Sequence, residues 1–196
     1  MKFTQIPETV FQELLLNAGV LLSDFKPATA EVKSTDIIGA TTGGISFTAT
    51  PTFSDAGEDI DNCPKNMKEL KRLDYWEVKM SGTFVSITTK SAKALMSAAD
   101  IGTDDTTKVT PRNDLSGNDF SDLWLVADYS DKNGDKNGGF VAIHMMNGLS
   151  TGGFQIKTGD KSKGQFAFEF SGHYSIDAQD TVPFEVYIKA GTEETV

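Results

Sequence analysis

The stretch GQFAFEFSGHYSI, residues 164–176, puts Phe166, Phe168 and Phe170 at every second position. Side chains on a strand alternate between its two faces, so three aromatics at period two mark a strand with one face in a core. PFEVYIKA, residues 183–190, repeats the pattern with Phe184, Val186 and Ile188. Upstream, GISFTATPTF (44–53), YWEVKMSGTFVSI (75–87), LWLVADY (123–129), FVAIHMM (140–146) and FQIKTG (154–159) are further β-favouring runs separated by Gly, Asn and Asp. Strands at this spacing predict a mainly β chain, an antiparallel sandwich or barrel, rather than alternating βαβ units.

One segment breaks the pattern. TKSAKALMSAADI, residues 89–101, carries Ala92, Leu95, Met96 and Ala99 at helical spacing, with Gly102 beyond as a stop, and predicts one helix packed on the sheets. At the N-terminus, IPETVFQELLLNAGVLLSDF sets Pro7 where a first helical turn tolerates it. Val10, Phe11, Leu14 and Leu15 then form an apolar stripe, which fits a core helix or an arm reaching a neighbouring subunit. On the arm reading, Phe11, Leu14 and Leu15 dock on the adjacent copy, and deleting residues 1–25 leaves a folded monomer.

The stretch DKNGDKNGG, residues 131–139, has the acid and amide spacing of a calcium loop, but Lys136 and Ala142 stand where an EF-hand needs its glycine and its bidentate glutamate. With two Asn-Gly pairs between apolar runs it predicts a hairpin tip without metal.

With 196 residues and 38% hydrophobic content, the chain is long enough for a core and short enough for one domain, residues 1–196. No apolar run is long enough to span a bilayer, and Glu8 and Glu13 interrupt any signal-peptide pattern. A single cysteine, Cys63, allows no internal disulfide, which suits a reducing cytoplasm. The net charge of −10 disfavours tight binding to nucleic acid or an anionic membrane. It suits a surface along which DNA must pass without sticking.

Residues 53–74 read as a long loop, of a length that usually carries function. Its charge is segregated: Asp55, Glu58, Asp59 and Asp61 come first, and Lys65, Lys68, Lys71 and Arg72 follow, with Glu69 interposed. A short helix over NMKELKRL, with Lys65 and Glu69 four apart, is expected inside it. The arrangement predicts a bipolar contact surface for a second copy of the chain.

Motifs for nucleotide chemistry are missing. No two glycines lie two apart and no Gly-Lys-Ser/Thr occurs, which removes both nucleotide cradles. His144 and His173 lack an acidic or cysteine neighbour at ligand spacing. Cys63 sits among acids, with no base beside it to favour a thiolate nucleophile. Trp76 and Trp124 fall within strands and read as core. The expectation is a non-enzyme with no cofactor and no metal.

Residues 43–101, GGISFTATPTFSDAGEDIDNCPKNMKELKRLDYWEVKMSGTFVSITTKSAKALMSAADI, together with PETVFQELLLNAGVLL near the start, resemble the major tail tube proteins of long-tailed phages that infect Gram-positive bacteria. The resemblance implies a β-sandwich or barrel with one helix; within it, residues 1–25 read as an N-terminal segment or arm and residues 53–74 as a long inter-ring loop. It implies hexameric rings stacked into a tube through which DNA is ejected, assembly in the host cytoplasm, and residence in the virion tail. The implied partners are the chain itself, the tape measure protein, and tail terminator or distal tail proteins, with no membrane. A β-sandwich binding module of lectin or adhesin type is the alternative from a different class.

Overall fold

The structure, a computed structural model, describes residue 15, residues 17–129 and residues 139–191. Phe11, Leu14 and most of the DKNGDKNGG tip lie outside the described residues. Those described form a mainly β fold with antiparallel sheets and a single helix.

In chain order the elements are β1 (Val20–Leu22), β2 (Thr41–Asp55), β3 (Lys71–Phe84), α1 (Thr89–Met96), β4 (Ala99–Ile101), β5 (Val109–Pro111), β6 (Ser121–Tyr129), β7 (Gly139–Ser150), β8 (Phe166–Gly172) and β9 (Phe184–Lys189). One layer has the order β1-β6-β7-β9 and the other β8-β3-β2, with β4 and β5 a separate short ribbon. The layers share β7. Its first part pairs with β6 and β9, and its last residues, Leu149 and Ser150, pair with Ser171 and Phe170 of β8. Asn147 sits at the change of direction with φ +49°, a conformation Asn tolerates better than other non-glycine residues. Its backbone N–H donates to Asp122 Oδ1 at 3.0 Å and its side chain to His173 O at 3.1 Å, holding the bend.

The phenylalanine alternation does what period two requires. Phe166, Phe168 and Phe170 are all buried and meet Val78, Met80 and Phe84 of β3 and Leu21, Leu123, Leu125 and Met145 of the other layer. Gly82 lies opposite Phe168, and a Cβ there would come within 2.7 Å of the ring, so the aromatic row fits only because this strand position is glycine. The outer face of the first layer is covered too. Trp124, Val126, Phe140 and Ala142 pack with Leu22 and Phe25, the Phe25 ring meeting those of Trp124 and Phe140 at centroid distances of 5.7 and 5.4 Å.

Residues 20–25 therefore belong to the core, not to an arm: Leu21 and Leu22 are fully buried and Phe25 nearly so. The backbone of Leu15 also bridges Tyr129 of its own chain, while its side chain is exposed. The arm boundary read from sequence extends too far, because the apolar residues of β1 follow the stripe after only Asn17, Ala18 and Gly19.

Helix α1 starts with a reciprocal cap: Ser91 N–H donates to Thr88 Oγ1 and Thr88 N–H to Ser91 Oγ. It stops at Met96 instead of continuing to Ile101. Ser97 adopts φ +62°, its hydroxyl donates to Ser150 O, and Ala99–Ile101 pairs with β5. The alanines supply helix propensity, but edge pairing and the Ser97–Ser150 contact win. Two other local expectations also fail. NMKELKRL forms turns and the start of β3, and FQIKTG forms only a bridge between Lys157 and Gln165. In the first, pairing with β2 outranks local composition; in the second, β-favouring composition gains no ladder beyond that one bridge.

Near β5, Arg112 is held by acids. Its guanidinium reaches Asp119 at 2.6 Å and Asp100 at 2.8 Å, the latter off the line that a hydrogen bond needs, so that contact is charge pairing alone. No described helix is long and apolar enough to cross a membrane.

Candidate assembly surface

Strand β8 pairs with β3 only from Val78 to Phe84. Beyond Val78 the β2–β3 hairpin continues through the pairs Thr50–Glu77 to Asp55–Lys71 with no third strand among the described residues, so a two-stranded ribbon projects about 17 Å at ~3.4 Å per residue. Its base is buttressed by Trp76, whose ring packs on Phe184 and whose backbone N–H donates to the Tyr174 hydroxyl at 2.9 Å. Further out the ribbon keeps apolar residues in water. Phe53 and Leu73 are direct cross-strand partners and are 52% and 50% exposed, and Tyr75 nearby is 51% exposed. A two-stranded ribbon alone is marginal in water, and apolar side chains on it point to a partner.

The expected loop over residues 53–74 is thus shorter. Phe53 to Asp55 are the end of β2 and Lys71 to Asp74 the start of β3, leaving residues 56–70 as the connection. Asp55 organises it: Oδ1 accepts Gly57 N–H and Oδ2 accepts Asn66 N–H, both at 2.9 Å. These two backbone donors, chiefly Gly57, with Lys71 and Lys65 adding charge, hold the Asp55 carboxyl below its ordinary pKa. Gly57 is buried, and a Cβ there would lie 2.5 Å from Leu70 and 3.0 Å from Cys63 Sγ, so the site has no room for a side chain. Lys71 Nζ lies 3.3 Å from Asn66 Oδ1 and 6.0 Å from the Phe53 ring centroid.

Of the residues read as a bipolar contact, Asp55 and Lys71 are therefore engaged within the chain. Glu58, Asp59, Asp61, Lys65, Lys68 and Arg72 are exposed on it. Lys68 pairs with Glu69 at 3.5 Å, not Lys65 with Glu69, and both partners are too exposed for the pair to weigh much.

Strand β2 is also an edge. Among the described residues its free side has no partner in the sheet, and from Thr41 to Ser54 it carries no charged residue. Edge strands in monomers are usually shielded by lysines, by covering loops or by being short. β2 has 15 residues, interrupted by Pro51, by the glycine bulge at Gly43 and Gly44 and by a register shift against β3 between Thr52 and Phe53. β9 ends the other layer and exposes Val186 at 48% and Ile188 at 66%. Sequence reading missed this edge, although the lack of charge over so long a β run was the available signal.

The histidines are in or beside sheet structure. His144 stacks on Trp124 at 4.0 Å between ring centroids, with Asp122 at 3.2 Å from Nε2 and Glu185 at 3.6 Å from Nδ1. These acids come from neighbouring strands, which local spacing could not reveal. They lie by opposite ring nitrogens, and among the described residues no group of three His, Cys, Asp or Glu side chains has metal-holding geometry. A scan of protein-family models finds none that matches this chain, and a search of curated proteins finds no match either.

Proposed function

We propose that the chain is a structural subunit that assembles edge to edge into hexameric rings, stacked as the tail tube of a long-tailed phage. The carrying observation is the long, uncharged, unpaired edge of β2, continuous with a ribbon that exposes Phe53, Leu73 and Tyr75. An open β edge is a row of unused N–H and C=O groups, and pairing it with an edge of the next copy removes the exposed backbone from both. Two different edges joined head to tail generate a closed ring when the rotation closes. On this reading the net charge of −10 per copy keeps the DNA moving through the lumen, since bound phosphate would need lysines or arginines facing it. The tube sits in the virion tail and meets the tape measure, terminator and distal tail proteins at its inside and ends.

Negative-stain microscopy of the purified full chain tests the proposal. Rings or tubes support it. Single particles over the whole accessible concentration range refute it and favour the lectin-like or adhesin-like alternative.

A further inference from the structure

Opposite the hairpin tip, at the other end of the same sheet, lies a groove of about 410 Å³ whose lining includes Thr42, Val85, Lys157, Gly159, Lys163 and Gln165. Thr42 pairs with Thr83 near one end of the β2–β3 ladder, and Asp55 pairs with Lys71 at the other. The two sites are thus separated by most of a 15-residue strand, about 45 Å at ~3.3 Å per residue. Their charges are opposite. The groove loop carries Lys157, Lys161 and Lys163 against the single acid Asp160, whereas the first half of the tip carries Asp55, Glu58, Asp59 and Asp61 with no base. Glu58, Asp59, Asp61 and the three lysines are all exposed, and none forms an ion pair with another described residue. Both sites also present apolar surface: Ile60, flanked by Asp59 and Asp61, is 55% exposed, and Ile156, beside Lys157, is 56% exposed.

We propose that this lysine-lined groove receives the acidic hairpin tip of a second copy of the chain, with Ile60 as the apolar anchor and Glu58, Asp59 and Asp61 facing Lys157, Lys161 and Lys163. The inference rests on the tube reading and names the contact between successive rings. Copies stacked in one direction bring the tip of one to the base of the next, not to its tip. A contact between the acidic and basic halves of two tips has to span the length of a sheet in every layer. A tip-to-base contact joins two different patches at opposite ends, so it repeats without closing, as a growing stack requires. Complementary charge brings the right ends together and opposes tip-to-tip and base-to-base pairing.

The test uses the full chain, with tube length scored by microscopy and pelletable protein by sedimentation. Lys157→Glu with Lys163→Glu is expected to abolish elongation while single rings persist, with unchanged β circular dichroism. Adding Asp59→Lys and Asp61→Lys to the same chain is expected to restore at least a tenfold gain in pelletable protein. The milder Lys157→Gln with Lys163→Gln is expected to flatten the salt dependence of elongation. Normal tubes from the Lys157→Glu, Lys163→Glu chain overturn the groove assignment and leave the tube reading standing. A block by Lys65→Glu with Lys68→Glu, and not by the groove variants, assigns stacking to tip-to-tip contact instead. A wild-type chain that never associates overturns the tube reading and this inference together.

Discussion

Replacing Phe53 and Leu73 by serine separates assembly from folding. Each side chain is about half exposed. With ~200 Å² for a phenylalanine and slightly less for a leucine, roughly 180 Å² of apolar surface is left for a partner to cover, worth about 4–5 kcal/mol at ~25 cal/mol/Å². The monomer loses much less. A cross-strand pair contributes about 0.2–1 kcal/mol and the Lys71 contact with the Phe53 ring about 0.5–1 kcal/mol. The double variant is thus expected to unfold in urea within about 2 kcal/mol of the wild type. Its subunit affinity should weaken by roughly a thousandfold, because each ~1.4 kcal/mol is a factor of ten. Sedimentation velocity across a concentration series gives the second number and urea titration the first. Equal association of variant and wild type would show that the ribbon meets no partner. A monomer that falls apart would show that Phe53 and Leu73 support the fold itself.

Deleting residues 1–25 removes β1 and the buried Leu21, Leu22 and Phe25, and large-to-small losses in a core cost about 2–5 kcal/mol per side chain, so this truncation should not fold. A β-rich monomer by circular dichroism would contradict the packing described. Leu95→Ala, at a fully buried position of α1, is expected to cost about 2–5 kcal/mol in denaturant unfolding; a cost below about 1 kcal/mol would mean that the helix is not docked. Acid is expected to destabilise the chain. Asp119 is held below the ordinary carboxylate value by the Ser116 N–H first and by Arg112 next, and Asp55 and Asp105 are lowered by hydrogen bonds from their loops. A depressed folded pKa stabilises above the unfolded value of about 3.9, and that stability is lost as pH falls through the folded one. Urea midpoints should therefore drop below about pH 4, less steeply in Asp119→Asn; a midpoint that rises on acidification would contradict these contacts.

The sandwich could be read from sequence where one physical signal dominated. Phe166, Phe168 and Phe170 alternate because a one-sided strand permits nothing else, and LWLVADY reads as a continuous apolar run because β6 is covered on both faces. Element ends were less legible. The stop of α1 at Ser97 depends on Ser150, and the extension of β3 back to Lys71 depends on β2, partners far away in sequence. The charged tip was visible because charge is a local property, but the engagement of Asp55 by Gly57 and Asn66 was not. Nor was the groove, since Lys157 and Lys163 meet Thr42 and Val85 only after β8 and β3 pair. Exposure of Phe53 and Leu73 also needed the fold, for their sequence context is that of core residues.

The most direct measurement is a three-dimensional reconstruction of the particles formed by the purified full chain. Six copies per ring are expected, with the free side of β2 hydrogen-bonded to an edge of the neighbouring copy and Phe53, Leu73 and Tyr75 covered. Particles in which β2 stays open to solvent, or a chain that remains single, would contradict this arrangement.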